Sequence, residues 1–505
     1  MSLIKKLAGE TMIYGVSSIL SRLLNYVVMA FYLTRVFATG QYGVVSDMYT
    51  YAALLMVIFT YRMETTFFRF ASEKDKMANV FSTTSISLLI STVFFAGALL
   101  LFAQPLADIL EYPDHADYVR WFVFILAFDA LAAIPFARLR LENRPIRFAV
   151  IKTLNILVNI SFVFFFLEIC PALIANGWDG VKAIYDPENR IAYVFIANFL
   201  GSLAVMLFLL PEYRKLRFSF DPALWKKMMR YAMPLVVVGL AAVVNQLINV
   251  PLLKYYLPGT TAENLAQVGI YTACFKLAIL MSLFIQAFNY AAEPFFFRHA
   301  KRGDSRKVYA QVGQAFAIVG SFVFLGITLY LDVVKFFIGP DFRDALFVVP
   351  IVTLAFLFLG LYYNFSIWYK LSDKTIIGAY ISVVGAAITI ILNILLIPLI
   401  GYEGSAWAAL ACYVFMALAS YLVGRKYYPI PYPMGKIFTY IGLAVAAYFL
   451  SSLMRGILND KFIYIILVNT AILLVYVLII YRMEKAAIRI MFAPERKKRG
   501  DLLDD

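Results

Sequence analysis

The chain has 505 residues, of which 63% are hydrophobic and 15% charged, with a mean hydropathy of +0.79 and a formal net charge of +14. Soluble domains carry about 25% charged and about 45–50% apolar residues, so the composition excludes a soluble enzyme. The basic residues fall between apolar runs, where membrane orientation requires them, rather than in a nucleic-acid-binding patch.

In hydrocarbon every backbone polar group must be satisfied internally, so only helices or a closed barrel can span. The apolar runs last about 20 residues and show no strand alternation, which predicts an all-α polytopic membrane protein with about fourteen transmembrane helices. The start, MSLIKKLAGETMIYG, lacks a short apolar core followed by a small-residue cleavage site, so the first span reads as a retained signal-anchor. Spans are expected at about 11–36, 42–66, 78–103, 118–138, 148–168, 190–210, 229–256, 267–292, 308–331, 344–367, 375–398, 403–424, 435–455 and 462–481. Basic residues crowd alternate connections, as at Lys5 and Lys6, at Arg138, Arg140, Arg144 and Arg147, at Arg214, Lys215 and Arg217, and at Arg496 to Arg499. The opposite connections hold few, chiefly Arg35, Lys182, Arg190, Lys254, Lys335, Arg343, Arg455 and Lys461, and one of them is acidic (Asp108, Glu111, Asp114, Asp117). The positive-inside rule therefore places both termini in the cytoplasm and requires an even number of spans.

Other signals narrow the chemistry. Cys170, Cys274 and Cys412 have no metal-ligand spacing and read as packing residues. The two histidines, His115 and His299, fall in expected connections. No connection exceeds roughly 20 residues and no GxxxxGK(S/T) phosphate loop is present, so neither a catalytic domain nor a nucleotide motor is expected. The reading is of a non-enzyme without metal or cofactor.

Two echoes suggest duplication. Glu64-Thr-Thr-Phe67-Phe68-Arg69-Phe-Ala71 matches Glu293-Pro-Phe-Phe296-Phe297-Arg298-His-Ala300, and Arg140-Leu-Glu-Asn-Arg144 matches Lys370-Leu-Ser-Asp-Lys374, at offsets of 229 and 230 positions. Both end even-numbered spans on the basic side. A six-helix unit repeated in parallel gives two lobes, 1–215 and 220–426, then a helix pair at 427–490 and a charged tail at 491–505, with a transport path between the lobes.

The segments LAGETMIYGVSSILSRLLN (7–25), LTRVFATGQYGVVS (33–46) and ARLRLENRP (137–145), with the 6+6+2 arrangement, resemble the polysaccharide-biosynthesis membrane proteins, the Wzx-type flippases of the MOP superfamily, which also contains MurJ lipid II flippases and MATE exporters. The resemblance implies alternating access that moves an undecaprenyl-diphosphate-linked oligosaccharide across a bacterial inner membrane for surface polysaccharide export. It implies as partners the lipid-linked saccharide, membrane lipids, and a polysaccharide polymerase with its export machinery, and no nucleic acid. A lipid II flippase, a MATE-like drug or ion antiporter and a membrane glycosyl polymerase are the alternatives.

Ionisable groups inside a span are costly and should face the bundle interior or a wet cavity. Arg22 lies midway in the first span on a polar face with Tyr14, Ser18, Ser21 and Asn25. It reads either as half of a structural ion pair or as a guanidinium that meets a diphosphate. Asp47 and Asp129 are intramembrane acids and potential partners of Arg22. Lys152, Asn155 and Asn159 share one face of the fifth span. Asn245, Gln246 and Asn249 precede Pro251, where a kink beside a cavity is expected, and Lys276 is central in the eighth span. The substrate-facing set is thus Arg22, Asn25, Asp47, Asp129, Lys152, Asn155, Asn249 and Lys276, and Glu64, Arg138, Arg140 and Glu293 are inner-gate candidates. Tyr362, Tyr363, Trp368 and Tyr369 read as part of an interfacial aromatic belt.

Overall fold

A computed structural model describes residues 28–71, 77–142, 144–299, 305–372, 374–457 and 461–492. Most of the first expected span, with Arg22 and Asn25, lies outside the described residues. The described residues are 88% helical, with no strand among them. Thirteen helices there are long and apolar enough to cross a membrane: α1 (Thr39–Phe70), α2 (Met77–Leu101), α3 (Ala116–Leu141), α4 (Pro145–Ala175), α5 (Arg190–Tyr213), α6 (Pro222–Leu247), α7 (Thr261–His299), α8 (Ser305–Leu329), α9 (Val348–Leu371), α10 (Thr375–Ile400), α11 (Tyr402–Tyr427), α12 (Met434–Ile457) and α13 (Phe462–Phe492). All thirteen coincide with the spans expected after the first.

Local chemistry sets the ends and breaks of these helices. Asp221 caps α6 by accepting from the Leu224 amide at 2.9 Å, with Pro222 in the first turn where its missing N–H costs nothing. Gly401, at φ 62°, makes the turn between α10 and α11. The sixth helix breaks at Ile248 and resumes as Asn249–Tyr256. Pro251 has no N–H for the Leu247 carbonyl, and the break falls at the next residue, Ile248. Helix α1 breaks at Tyr61 and Arg62, both in the left-handed region at φ 30° and 57°. Neither is glycine, and left-handed backbone costs such residues roughly 1–2 kcal/mol each.

The chain forms two contact units: Met1–Arg302 with Lys335–Pro429, and Gly303–Val334 with Ile430–Asp505. The second contains α8, α12 and α13, joined by polar bonds. Glu484 on α13 accepts from Lys436 at 2.7 Å and from Tyr440 at 2.6 Å, Gln314 on α8 reaches the Tyr440 hydroxyl, and Arg455 pairs with Asp332 at 2.6 Å. Between helices already in lipid such bonds and close packing do the work that hydrophobicity does in water.

In the first unit small residues let helices approach. Trp368 is 1% exposed, lies against Gly424 and donates to the Ser420 carbonyl at 2.9 Å. Tyr362 and Tyr369 are buried as well. The belt reading is therefore corrected for these three: Ser420 and Gly424 on α11 open a slot that the aromatics fill, and only Tyr363 is exposed, at 41%. The three cysteines are free and buried. Large apolar side chains such as Phe94, Leu101 and Leu399 are turned outward.

The tightest approach is between α1 and α7. A Cβ on Gly43 would overlap the Leu265 carbonyl, and one on Gly269 would overlap that of Thr39. Because those obstacles are backbone, Gly43→Ala must push two helices apart, at a cost of about 1–3 kcal/mol for overpacking. Gly97, in mid-helix with nothing within 4 Å of its added Cβ, is the control. Thermal melting of the purified protein in detergent should show a lowered Tm for Gly43→Ala and an unchanged or raised one for Gly97→Ala, and equal effects would remove the close-packing explanation.

Candidate functional site

A cavity of about 390 Å³ lies between α1, from the segment 1–215 (the first half below), and α6 and α7, from the segment 220–426 (the second half). Ser46, Tyr49 and Thr50 line it from α1, Gln246 and Asn249 from the broken sixth helix, and Thr272, Lys276 and Gln286 from α7. Its wall is therefore apolar in the larger part, with hydroxyls, amides and one lysine among the lining residues, a surface that suits an amphiphile with an anionic head.

The break at Ile248 supplies part of the wall. Asn249 is buried and donates to the Tyr271 hydroxyl at 2.7 Å, and Tyr413 donates to the Asn245 carbonyl at 3.1 Å, so a carbonyl at the break finds a side-chain donor. Lys276 donates to the Tyr42 hydroxyl and lies 4.7 Å from the centre of that ring.

Beside the cavity a buried ion pair meets the acidic connection. Asp47 and Lys254 are both fully buried, with Nζ 3.1 Å from Oδ2, and Tyr112 donates to the same oxygen at 2.7 Å. Lys254 also donates to the Leu110 carbonyl and stands 4.0 Å from the centre of the Tyr112 ring. The connection adds two further bonds to the second half, Thr261 to Glu111 at 2.7 Å and Tyr255 to the Ile109 carbonyl at 3.4 Å. At an effective dielectric of about 20 the attraction across 3.1 Å is about 5 kcal/mol, and loss of either partner strands a buried charge.

The structure thus gathers Asn249 and Lys276 in the cavity wall and puts Asp47 beside them. The partner of Asp47 is Lys254, which sequence reasoning counted among the sparse charges of the acidic side. Asp129, Lys152 and Asn155 are not in the cavity wall: they lie among α3, α4 and α5, where Lys152 stands 4.3 Å from the centre of the Phe136 ring and Asn155 backs onto Gly201. Arg22 and Asn25 fall outside the described residues, and Glu293 lies on α7 near its end.

On the basic side charges form a shared network. Glu64 accepts from Arg140 at 2.7 Å. Glu142 accepts from Arg138 at 2.6 Å and lies 3.1 Å from Arg144, and the fully buried Glu212 lies 2.7 Å from Arg147 and 2.9 Å from Lys215. Arg62, at the break in α1, also reaches a neighbouring helix. Its left-handed backbone lays the guanidinium over Gly239 of α6, where an added Cβ would collide with it.

Residues 7–300 match the profile of the family described as Polysaccharide biosynthesis protein. Comparison with curated proteins gives no match. Among solved structures, a lipid II flippase MurJ in an inward closed conformation superposes with a TM-score of 0.70 at 14% identity, covering 93% of this chain and 99% of that one. An inward-facing multidrug resistance MATE family transporter of the MOP superfamily gives 0.59 at 13% identity (82% and 94% covered), and a Vibrio cholerae MATE transporter 0.58 at 14% (84% and 97%). At such identities the likeness is one of fold.

The basic-side network makes a pH prediction. Burial pushes the Glu142 carboxyl upward, but its hydrogen bond from Arg138 and the charges of Arg138, Lys215 and Arg144 outweigh that and hold it below the usual glutamate range. A depressed folded value means that its stabilisation is present above the ordinary value of 4.5 and is lost as pH falls through the lower folded one. Glu142→Gln should lower Tm near neutral pH and reduce the further loss on acidification. A mutant melting curve that tracks the wild type at every pH would show that this carboxylate contributes nothing.

Proposed function

Because the chain belongs to the polysaccharide biosynthesis protein family, within the MOP superfamily of membrane flippases and transporters, we propose that it flips an undecaprenyl-diphosphate-linked oligosaccharide across a bacterial inner membrane for surface polysaccharide export. The basic connections are cytoplasmic, as are both termini, and the acidic connection faces outward. The segments 1–215 and 220–426 act as lobes that alternately open the cavity to either side. The observation that carries this reading is the cavity of about 390 Å³ between helices of the two halves, with Lys276 among lining residues that are otherwise neutral.

Lys276 and Arg22 are the cations assigned to the diphosphate, which loses much of its hydration in such a cavity and is compensated there far better by charge than by neutral donors. Asn25 and Asn249 serve as neutral donors beside them. Asp129, Lys152 and Asn155 support the first lobe, Arg138 braces its basic end through Glu142, and Glu64, Arg140 and Glu293 close the cytoplasmic end. A polysaccharide polymerase and its export machinery take the product on the outer face. The protein works as a carrier and performs no covalent chemistry.

The coverage of the MurJ structure, 99% of that chain, favours lipid II as the second reading. Substrate exchange separates the two. A strain lacking this protein and regaining surface polysaccharide with it, while a MurJ-depleted strain stays unviable with it, supports the oligosaccharide; the reverse pattern supports lipid II. In the first strain Lys276→Ala and Arg22→Ala should reduce export at least tenfold at unchanged protein level in the membrane, with partial activity for Lys276→Arg. Normal export by well-expressed alanine variants would remove the cationic-path mechanism.

A further inference from the structure

Lys254 belongs to the second half of the chain, yet most of what holds its ammonium belongs to the first. The Asp47 carboxylate is 3.1 Å away, the Leu110 carbonyl accepts from it, and the Tyr112 ring covers it at 4.0 Å. The side chain is fully buried in this socket. Asp47 sits eight residues into α1, about 12 Å along its axis at 1.5 Å per residue, so the socket is a plug at depth rather than a rim contact.

The plug borders the cavity. Ser46 and Thr50, which flank Asp47 on α1, line it, and so does Val250, one turn before Lys254 on the same face of its helix. An anion seated against Val250 therefore lies about one helical turn, roughly 5.4 Å along the axis, from Lys254.

We propose that the Asp47–Lys254 pair is an anion-sensitive latch: a diphosphate head in the cavity takes Lys254 from Asp47, and loss of the pair opens the seam on the side of the 109–112 connection. This rests on the reading of the cargo as a lipid diphosphate. A single ammonium serves two competing anions, and a diphosphate, with more charge than one carboxylate, has the stronger Coulombic claim. Asp47 is then left buried without its cation, a state that low dielectric penalises and that water relieves. Water reaches it when α1 and the 109–112 connection part from the second half, so the diphosphate favours the open seam by its contact with Lys254. The closed seam reforms when the cargo leaves and Asp47 recovers its partner. Carriage of an anion is thereby tied to opening, and an uncharged amphiphile that fits the cavity leaves the latch shut.

The test measures the distance between the halves on that side. Nitroxide labels are placed through Asp114→Cys and Ala262→Cys, both exposed, in the full chain in lipid nanodiscs; the three native cysteines are buried and stay unlabelled. Farnesyl diphosphate is the probe and farnesol its uncharged control. The expected result is a short distance without ligand, a shift to longer distance with farnesyl diphosphate, and none with farnesol. Asp47→Asn should give the longer distance without ligand, and the neutral pair Asp47→Asn with Lys254→Met should lose the response to the diphosphate. Calorimetric binding of farnesyl diphosphate with no change in distance overturns the latch and leaves the proposed function standing, whereas absence of binding overturns both. The ligand arm keeps Asp47 and Lys254 intact, so it decides the matter even where a variant fails to fold.

Discussion

A single ammonium and a single carboxylate, buried at 3.1 Å and drawn from opposite halves of the chain, constrain much of the first contact unit. Neither can be left alone in a medium of low dielectric, so the two halves must meet wherever this pair forms. That meeting requires α1 and α7 to approach closely, which Gly43 and Gly269 permit because each faces a backbone carbonyl that any side chain would strike. It also requires the 109–112 connection to turn inward, with Glu111 at φ 59° and Tyr112 donating to Asp47. Pair, glycines and connection act together, and Ser46, Thr50 and Val250 next to the pair line the cavity.

Most of the architecture was legible because its cause is one-dimensional. Span length and apolarity follow from bilayer thickness, and the break in the sixth helix follows from a missing proton donor at Pro251. Asp47, Asn249 and Lys276 stood out for the same reason, as polar groups in segments that otherwise avoid them. Lys254 did not. In the run Lys254-Tyr-Tyr-Leu-Pro258 it resembles a snorkelling residue at a helix end, and its burial depends on a carboxylate 207 positions away. Nor did Trp368, whose slot is made by Ser420 and Gly424 on another helix. The kink at Tyr61 and Arg62 carries no glycine or proline to announce it. Each of these was hidden because its cause is tertiary.

Membrane insertion explains why so few polar groups govern so much. Apolar side chains gain nothing by leaving lipid for a protein interior that is equally apolar, and large ones remain on the outside, Leu101 at 83% exposure and Leu399 at 76%. Helix partners are chosen instead by close contact and by polar bonds. In the second contact unit the Lys436–Glu484–Tyr440 cluster and the Arg455–Asp332 pair perform that role.

The two ends of the first unit differ in how their charges are arranged, and the difference bears on which one yields. On the basic side two acids, Glu142 and Glu212, are shared among Arg138, Arg144, Arg147 and Lys215, with Arg144 and Lys215 within 4 Å of both. All six residues belong to the first half of the chain, so moving one half against the other breaks none of these pairs. Loss of one cation there leaves each acid another. On the acidic side one cation, Lys254, meets one anion, Asp47, between the two halves, and among the described residues no other ion pair joins the halves there. A redundant network within one body gives rigidity, whereas a single pair between two bodies gives a state that is held or released as a whole. In the proposed latch the charges are thus placed so that the first half keeps its own network while the seam is held by one pair, an arrangement suited to a seam with two discrete positions.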